Sequence, residues 1–215
     1  MTRILAEFWH FTRESAVLIT TGSRWYRAWV ALLLLMILGG VWAYSGQLQY
    51  GLITTNMRDQ VSWGFYIGNF AFLVGVAAAA VILVIPAYVY EWGPIREVVL
   101  LGELLAVSAI IMCILFVTVD IGHPLRIWHM MPLVGTPNFP YSLHLCAVFV
   151  HSASFVLNSF DVTDLVFMSY TARKYNPSSL MPIIFLSIPL AVSIHTVTAF
   201  LFMGLKSRPF WNDAI

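Results

Sequence analysis

The sequence predicts an all-α protein, a multi-span transmembrane helical bundle with about five spans in this chain. Three observations carry that prediction. Hydrophobic residues make up 60% of the chain and charged residues 10%, where a soluble domain carries roughly a quarter charged residues. The mean hydropathy is +0.84, and the apolar residues gather into separate long runs rather than spreading evenly. Aromatic residues such as Trp25, Tyr26, Trp42 and Tyr44 flank the first of these runs, as side chains at headgroup depth do.

Taken in order, residues 1–27 read as an interfacial amphipathic segment, followed by a transmembrane domain over 28–215. Within the first, Leu5, Phe8, Trp9, Thr12 and Ala16 share one helical face, with Arg3, Glu7, Arg13 and Glu14 around the others. The first span covers 29–47, and its nineteen residues are long enough for a hydrocarbon core of roughly 30 Å. A loop over 48–62 holds Arg58 and Asp59. The second span, 63–90, carries Gly64, Gly68, Gly75 and Ala77 to Ala80, small residues that let helices approach closely in lipid. Glu91-Trp92-Gly93-Pro94 forms a turn before the third span, 98–119. A weaker fourth span covers 142–160, then a polar connection with Arg173, Lys174 and an Asn176-Pro177 turn signal. The fifth span is 180–205, with Pro182 near its start and Pro189 inside it.

The Lys and Arg of the loops set the orientation. An inside N-terminus puts Arg3, Arg13, Arg24, Arg27, Arg96, Arg173 and Lys174 on the inner side, against Arg58, Arg126, Lys206 and Arg208 outside. The larger inner group places the N-terminus in the cytoplasm. The N-terminal region has no early continuous apolar core of a cleavable signal. A net charge of +1 gives no hint of nucleic-acid binding. Cys113 and Cys146 lie in apolar runs without a C-x-x-C partner, which argues against a disulfide, zinc site or cysteine-ligated cluster within this chain.

Against 21 Asp, Glu, Lys and Arg residues in all, the stretch that closes the third span is unusually polar. It brings Asp120, His123, Arg126 and His129 together within ten residues. One reading is a solvated loop whose charges pair at the headgroups. The other is a proton-exchanging site, in which Arg126 holds Asp120 ionised. With the N-terminus inside, Tyr66 and Asn69, three residues apart on one face of the second span, lie at the same outer level as Asp120. His195 is about 15 residues into the fifth span, roughly 20 Å from its inner end, and so falls in the same half. An ionisable group at that depth is a functional candidate; a neutral His bonded to a neighbouring helix is its plainer alternative. Glu103, one turn inside the third span, either pairs with Arg96 or belongs to a proton path toward the cytoplasm. His144 and His151 share one face of the fourth span; paired intramembrane His also raises a haem b anchor, and polar stations across the span raise an ion-conducting or transporter subunit without quinone.

Three stretches carry a family resemblance. They are Trp63-Gly64-Phe65-Tyr66-Ile67-Gly68-Asn69-Phe70, then Val119-Asp120-Ile121-Gly122-His123-Pro124-Leu125-Arg126, and then Ser187 to Phe200 around Ile194-His195-Thr196. A tail of Arg208-Pro209-Phe210-Trp211-Asn212 adds to them. Jointly they resemble the NrfD/PsrC family, the quinol-interacting integral membrane subunits of polysulfide reductase-type complexes, and look most similar to Dsr- and Hmc-type members. The resemblance implies a multi-pass subunit of a bacterial or archaeal cytoplasmic membrane that carries no haem or metal itself and is not catalytic alone. It implies electron exchange between a quinol, menaquinol or ubiquinol, and an iron–sulfur protein docked on the outer face. Further partners would be a molybdoenzyme or a multihaem cytochrome. Asp120 and His195 are then the expected proton-exchanging residues, with Tyr66, Asn69, His123 and Arg126 shaping the quinone pocket.

Two departures from the family pattern stand out. Family members usually have eight or more spans, while this chain stops at Ile215 after five, so it is expected to be truncated, or split with the remaining spans on another chain. Residues 143–166 also fit poorly: His144, His151, Asp161 and Asp164 read as a local irregularity of sequence and receive no role.

Overall fold

A computed structural model of the chain describes residues 2–58, 61, 63–130, 134–135, 143–172 and 177–203, with the side chains of 2–3, 96, 130, 143–144 and 177–180 outside the description. The elements are α1 (Thr2–Thr20), α2 (Arg24–Tyr50), a 3-10 turn (Leu52–Thr55), α3 (Phe65–Ile82), a π turn (Ile85–Val89), the single turn α4 (Gly93–Arg96), α5 (Val99–Asp120), a 3-10 segment (Pro124–Met130), α6 (Leu143–Tyr170) and α7 (Pro177–Met203). Among the described residues, all of the named elements are helical, as the composition predicts. Five segments are long and apolar enough to cross a membrane: Arg24–Tyr50, Phe65–Val89, Val99–Asp120, Leu145–Tyr170 and Met181–Met203.

Four of the five form the bundle. α3 packs most extensively on α5, and the ring closes through α5 on α6, α6 on α7 and α7 back on α3. Successive helices run in opposite directions. At one end Val84, Ala87 and Tyr88 meet Val99, the start of α7 at Ile184 and Leu165 late in α6. Toward the other, Phe70, Val74, Cys113 and Ile194 form a second cluster. Between these levels the α3–α5 seam is made of small buried residues, with Ala77, Ala80, Ala106 and Ala109 each under 5% exposed. A hydrocarbon solvent offers no hydrophobic drive between helices, so close packing of small side chains holds this contact. At Gly102 an added Cβ would stand 3.2 Å from the Leu83 side chain.

Pro86 explains how α3 ends. It has no N–H to donate and its ring crowds the preceding turn. The backbone answers by widening: Tyr90 N–H reaches back five residues to Ile85 O at 3.2 Å, and Trp92 N–H reaches Pro86 O at 2.9 Å. The result is the π turn Ile85–Val89, a local adjustment that re-satisfies freed backbone groups inside a span.

Two elements lie outside the bundle. α1 docks Phe8 and Phe11 against Phe167 and Tyr170 of α6, and the Tyr170 hydroxyl donates to Glu14 Oε2 at 2.6 Å. Its packed face is therefore Phe8, Phe11 and Glu14; Leu5 and Trp9, placed on the same face by periodicity, are 63% and 72% exposed. α2 begins after Ser23, whose hydroxyl accepts from Tyr26 N–H. Its apolar flank stays exposed, and Gln47 is its one buried residue among those described.

The largest difference from the sequence expectation is in α6. The sequence pattern predicts a polar connection after Phe160, yet the helix continues to Tyr170. Asp161 does not end it because its side chain turns inward and is 5% exposed.

Candidate functional site

At the end of the bundle where α3 begins and α5 ends, the four helices leave a cavity of about 520 Å³. That lies within the range of roughly 300–1,000 Å³ typical of small-molecule sites. Ile67 and Phe70 of α3, Cys113, Ile114 and Val117 of α5, and Ala147 of α6 form its apolar wall. Trp63, just before α3, and Phe202, near the end of α7, stand edge to face across its rim at 5.3 Å. Its charged and imidazole groups are Asp120, His123, Arg126 and His151, joined by the hydroxyls of Thr118 and Ser152.

Local backbone geometry delivers three of these. α5 ends at Asp120, and Gly122 follows at φ +76, a conformation that side chains disfavour. The chain turns there and enters the 3-10 segment at Pro124, with Arg126 N–H closing onto His123 O at 3.0 Å. His123 and Arg126 are exposed at the rim. Asp120 lies deeper: its Oδ1 is buried and has no hydrogen-bond partner among the described residues. The expected Arg126 clamp on that oxygen is thus not formed; the guanidinium stands at the rim of the cavity instead.

Depth within the cavity increases toward Cys113 and His151. The Cys113 thiol is fully buried and donates to Phe70 O at 3.7 Å. His151, 4% exposed, lies against the Phe70 ring and bonds Ala147 O through Nδ1 at 2.7 Å. A carbonyl oxygen only accepts, so Nδ1 carries the proton of this bond. Nε2 is buried and has no partner among the described residues.

The other expected residues fall elsewhere. Tyr66 is not part of the cavity lining; its hydroxyl donates to Gln47 Oε1 at 2.9 Å. Gln47 Nε2 donates in turn to Val119 O at 2.6 Å. The pair ties α2 and α3 to the turn that carries Asp120. Asn69 bonds its own helix, Nδ2 donating to Phe65 O at 2.8 Å. His195 follows Ile194, which packs beneath the cavity with Phe70 and Cys113, so its depth is as expected. Its side chain, however, is on the exposed side of α7 and does not line the cavity. Glu103 is 2% exposed, well below the site. His129 stacks beside Trp128 at 3.9 Å. The side chains of Arg96 and His144 and the tail 208–212 lie outside the described residues.

Sequence reasoning weighs His151 only as a haem partner of His144 and then gives it no role, quotes Trp63 only within the family motif, and passes over Gln47. His151 carries a readable signal: with Ser154, Asn158 and Asp161 it repeats at three and four residues along α6, the spacing of one helical face. All four are buried. Among the described residues no three His, Cys, Asp or Glu side chains cluster closely enough to hold a metal ion.

Fold and site together define a multi-pass helical membrane protein with a polar-mouthed, apolar-walled cavity at one end of its bundle. Residues 53–215 match the family described as Polysulphide reductase, NrfD, and the chain belongs to that family. It is 30% identical over 199 residues, 86% of its length, to a Halobacterium salinarum protein named as a membrane subunit of dimethyl sulfoxide reductase. It is 28% identical over 90 residues, 42% of its length, to a Mesobacillus selenatarsenatis protein named as a subunit of selenate reductase. The chain spans 45% and 21% of those two relatives, less than half of each.

Proposed function

We propose that the chain is the quinol-interacting membrane subunit, or a part of it, of a respiratory oxidoreductase complex. The observation that carries this reading is the cavity itself, with apolar walls and Asp120, His123 and Arg126 at one end. A quinol is an apolar ring with two hydroxyls, and such a site accommodates the ring while presenting polar groups to its oxygens. Family membership and two relatives named as reductase subunits support the same reading.

In that role, oxidation of the quinol gives a quinone, two protons and two electrons. Asp120 Oδ1, buried and without a partner among the described residues, accepts a hydroxyl proton as a positioned general base. Arg126 and His123 at the rim bind the second oxygen, whose proton passes to His123 and on to water, while the guanidinium stays charged. Tyr66 acts indirectly, holding the Asp120 turn through Gln47. His195 and Asn69 take no part in this cavity. The electrons leave to an iron–sulfur protein docked at the same membrane face, within an assembly that holds the terminal reductase or its equivalent. The excess of Lys and Arg in the loops of the other side supports a cavity on the outer face, an N-terminus in the cytoplasm and α1 at the inner interface.

Photolabelling the complex with an azido-quinone tests the assignment. Label is expected on 113–127 and 147–152 and is displaced by unlabelled quinol. Label confined to other helices would overturn it. A transporter without quinone would show no displaceable label at all.

A further inference from the structure

The cavity opens in two places. Among its described lining residues, Ile121, His123 and Arg126 are exposed at the rim, and Ile114 and Ser152 are exposed lower down, on α5 and α6. Ile114 lies six residues before Asp120, about 9 Å deeper along α5. Both Ile114 and Ser152 belong to helices long and apolar enough to span a membrane, so this second opening faces hydrocarbon. Helix geometry explains it. Cys113 and His151 are buried inside the bundle, and the next residue on each helix, turned by about 100°, reaches the outer surface.

The other sides of the cavity are shut. Trp63 and Phe202 meet at 5.3 Å between α3 and α7, and Tyr66 and Phe116 at 6.4 Å between α3 and α5. Val150 of α6 packs onto the cluster that holds Ile194 of α7. Beneath the opening, Phe155 of α6 packs against the cluster of Ala77, Ala109 and Ile110 and closes the α5–α6 seam. What remains is a window between α5 and α6, about 10 Å tall from Ile114 to Ile121. The Thr118 hydroxyl at its edge donates to Ile114 O at 2.7 Å, which leaves it no proton to offer a guest.

We infer that this window is the tail site of a prenylated quinol, whose ring lies in the cavity while its chain passes between α5 and α6 into the bilayer. Its role depends on the quinol reading of the cavity, and it adds the class of quinol: one carrying a long apolar chain. A chain leaving by the rim would run past His123 and Arg126 into water and headgroups, against the hydrophobic preference of every methylene. Through the window the chain stays in hydrocarbon, and the rim is left free for proton exchange with water. A quinol without a chain needs only the rim.

Two analogues with the same quinol ring, one with a polyprenyl chain and one with a methyl group in its place, test this on the complex in nanodiscs. Ser152→Trp narrows the window. It should weaken binding of the prenylated analogue at least tenfold more than binding of the methyl analogue. An equal change in both, or no change in either, would overturn the tail site. A photoreactive group on the second isoprene unit reads the wild type directly, should the variant fail to insert. Label is expected around the window and on Ile111 and Val156, which are 42% and 63% exposed and stand one turn below Ile114 and Ser152. Label on α3, α7 or 123–127, or on no part of this chain, would overturn the tail site. Failure of both analogues to bind the wild type would overturn the quinol reading beneath it.

Discussion

The side-chain amide of Gln47 donates to the backbone carbonyl of Val119 at 2.6 Å, across 72 residues of sequence. Val119 directly precedes Asp120, and Gln47 also accepts from Tyr66 at 2.9 Å. One residue therefore fixes the mutual position of α2, α3 and the end of α5. Because α2 is otherwise unpacked along its apolar flank, this contact is its chief attachment to the site. Gln47→Leu is expected to destabilise the protein by about 1–3 kcal/mol, since it leaves Val119 O and Tyr66 Oη without their partner. Tyr66→Phe removes one bond and should cost less. Thermal unfolding in detergent, with quinol-analogue affinity measured in parallel, checks both.

Asp120→Asn keeps the shape of the side chain and removes its capacity to accept a proton. Quinol turnover by the complex should fall by about 10²-fold, the usual contribution of a positioned base. Affinity for a quinol analogue should change far less. A variant with full turnover would exclude Asp120 from the chemistry.

Gly122 occupies φ +76, and a Cβ there would also meet Leu52 at 3.3 Å. Gly122→Ala is strained twice, by backbone and by contact, at a cost of about 1–2 kcal/mol. The turn sets His123 and Arg126 relative to Asp120, so analogue affinity should fall together with melting temperature. Loss of stability alone would detach the turn from the site.

At Gly102 the neighbouring atom is the far end of the Leu83 side chain, 3.2 Å from a Cβ. Gly102→Ala is expected to be tolerated with a small shift of Leu83. Gly102→Val overpacks the α3–α5 seam and should cost roughly 1–3 kcal/mol. A thermal-melt comparison of the two variants reads the difference directly.

The spans are legible because hydropathy depends on composition over twenty residues, which single positions cannot disguise. The directions in which side chains point are not. α7 is apolar on nearly every face, so nothing in the sequence tells the buried side of Ile194 from the exposed side of His195; depth follows from counting residues, whereas facing depends on the neighbours. α6 is the opposite case. Its inward face is the polar one, and Asp161 and Asp164 read as the start of a loop because charges usually mark span ends. The three- and four-residue spacing from His151 to Asp161 is the available signal, and it outweighs the charge once helix periodicity is followed through the stretch. The tie from Gln47 to Val119 is beyond reach, since no local pattern announces a bond between residues so far apart.

The quinol reading is tested most directly by titrating the purified complex with a fluorescent quinol analogue, wild type against Ile114→Trp. Ile114 lines the cavity, and an indole there occupies the space a quinol ring would take. The account predicts saturable binding that competes with quinol in the wild type and weakens at least tenfold, about 1.4 kcal/mol, in the filled variant. Equal affinity in the two proteins, or no competition by quinol, would contradict it.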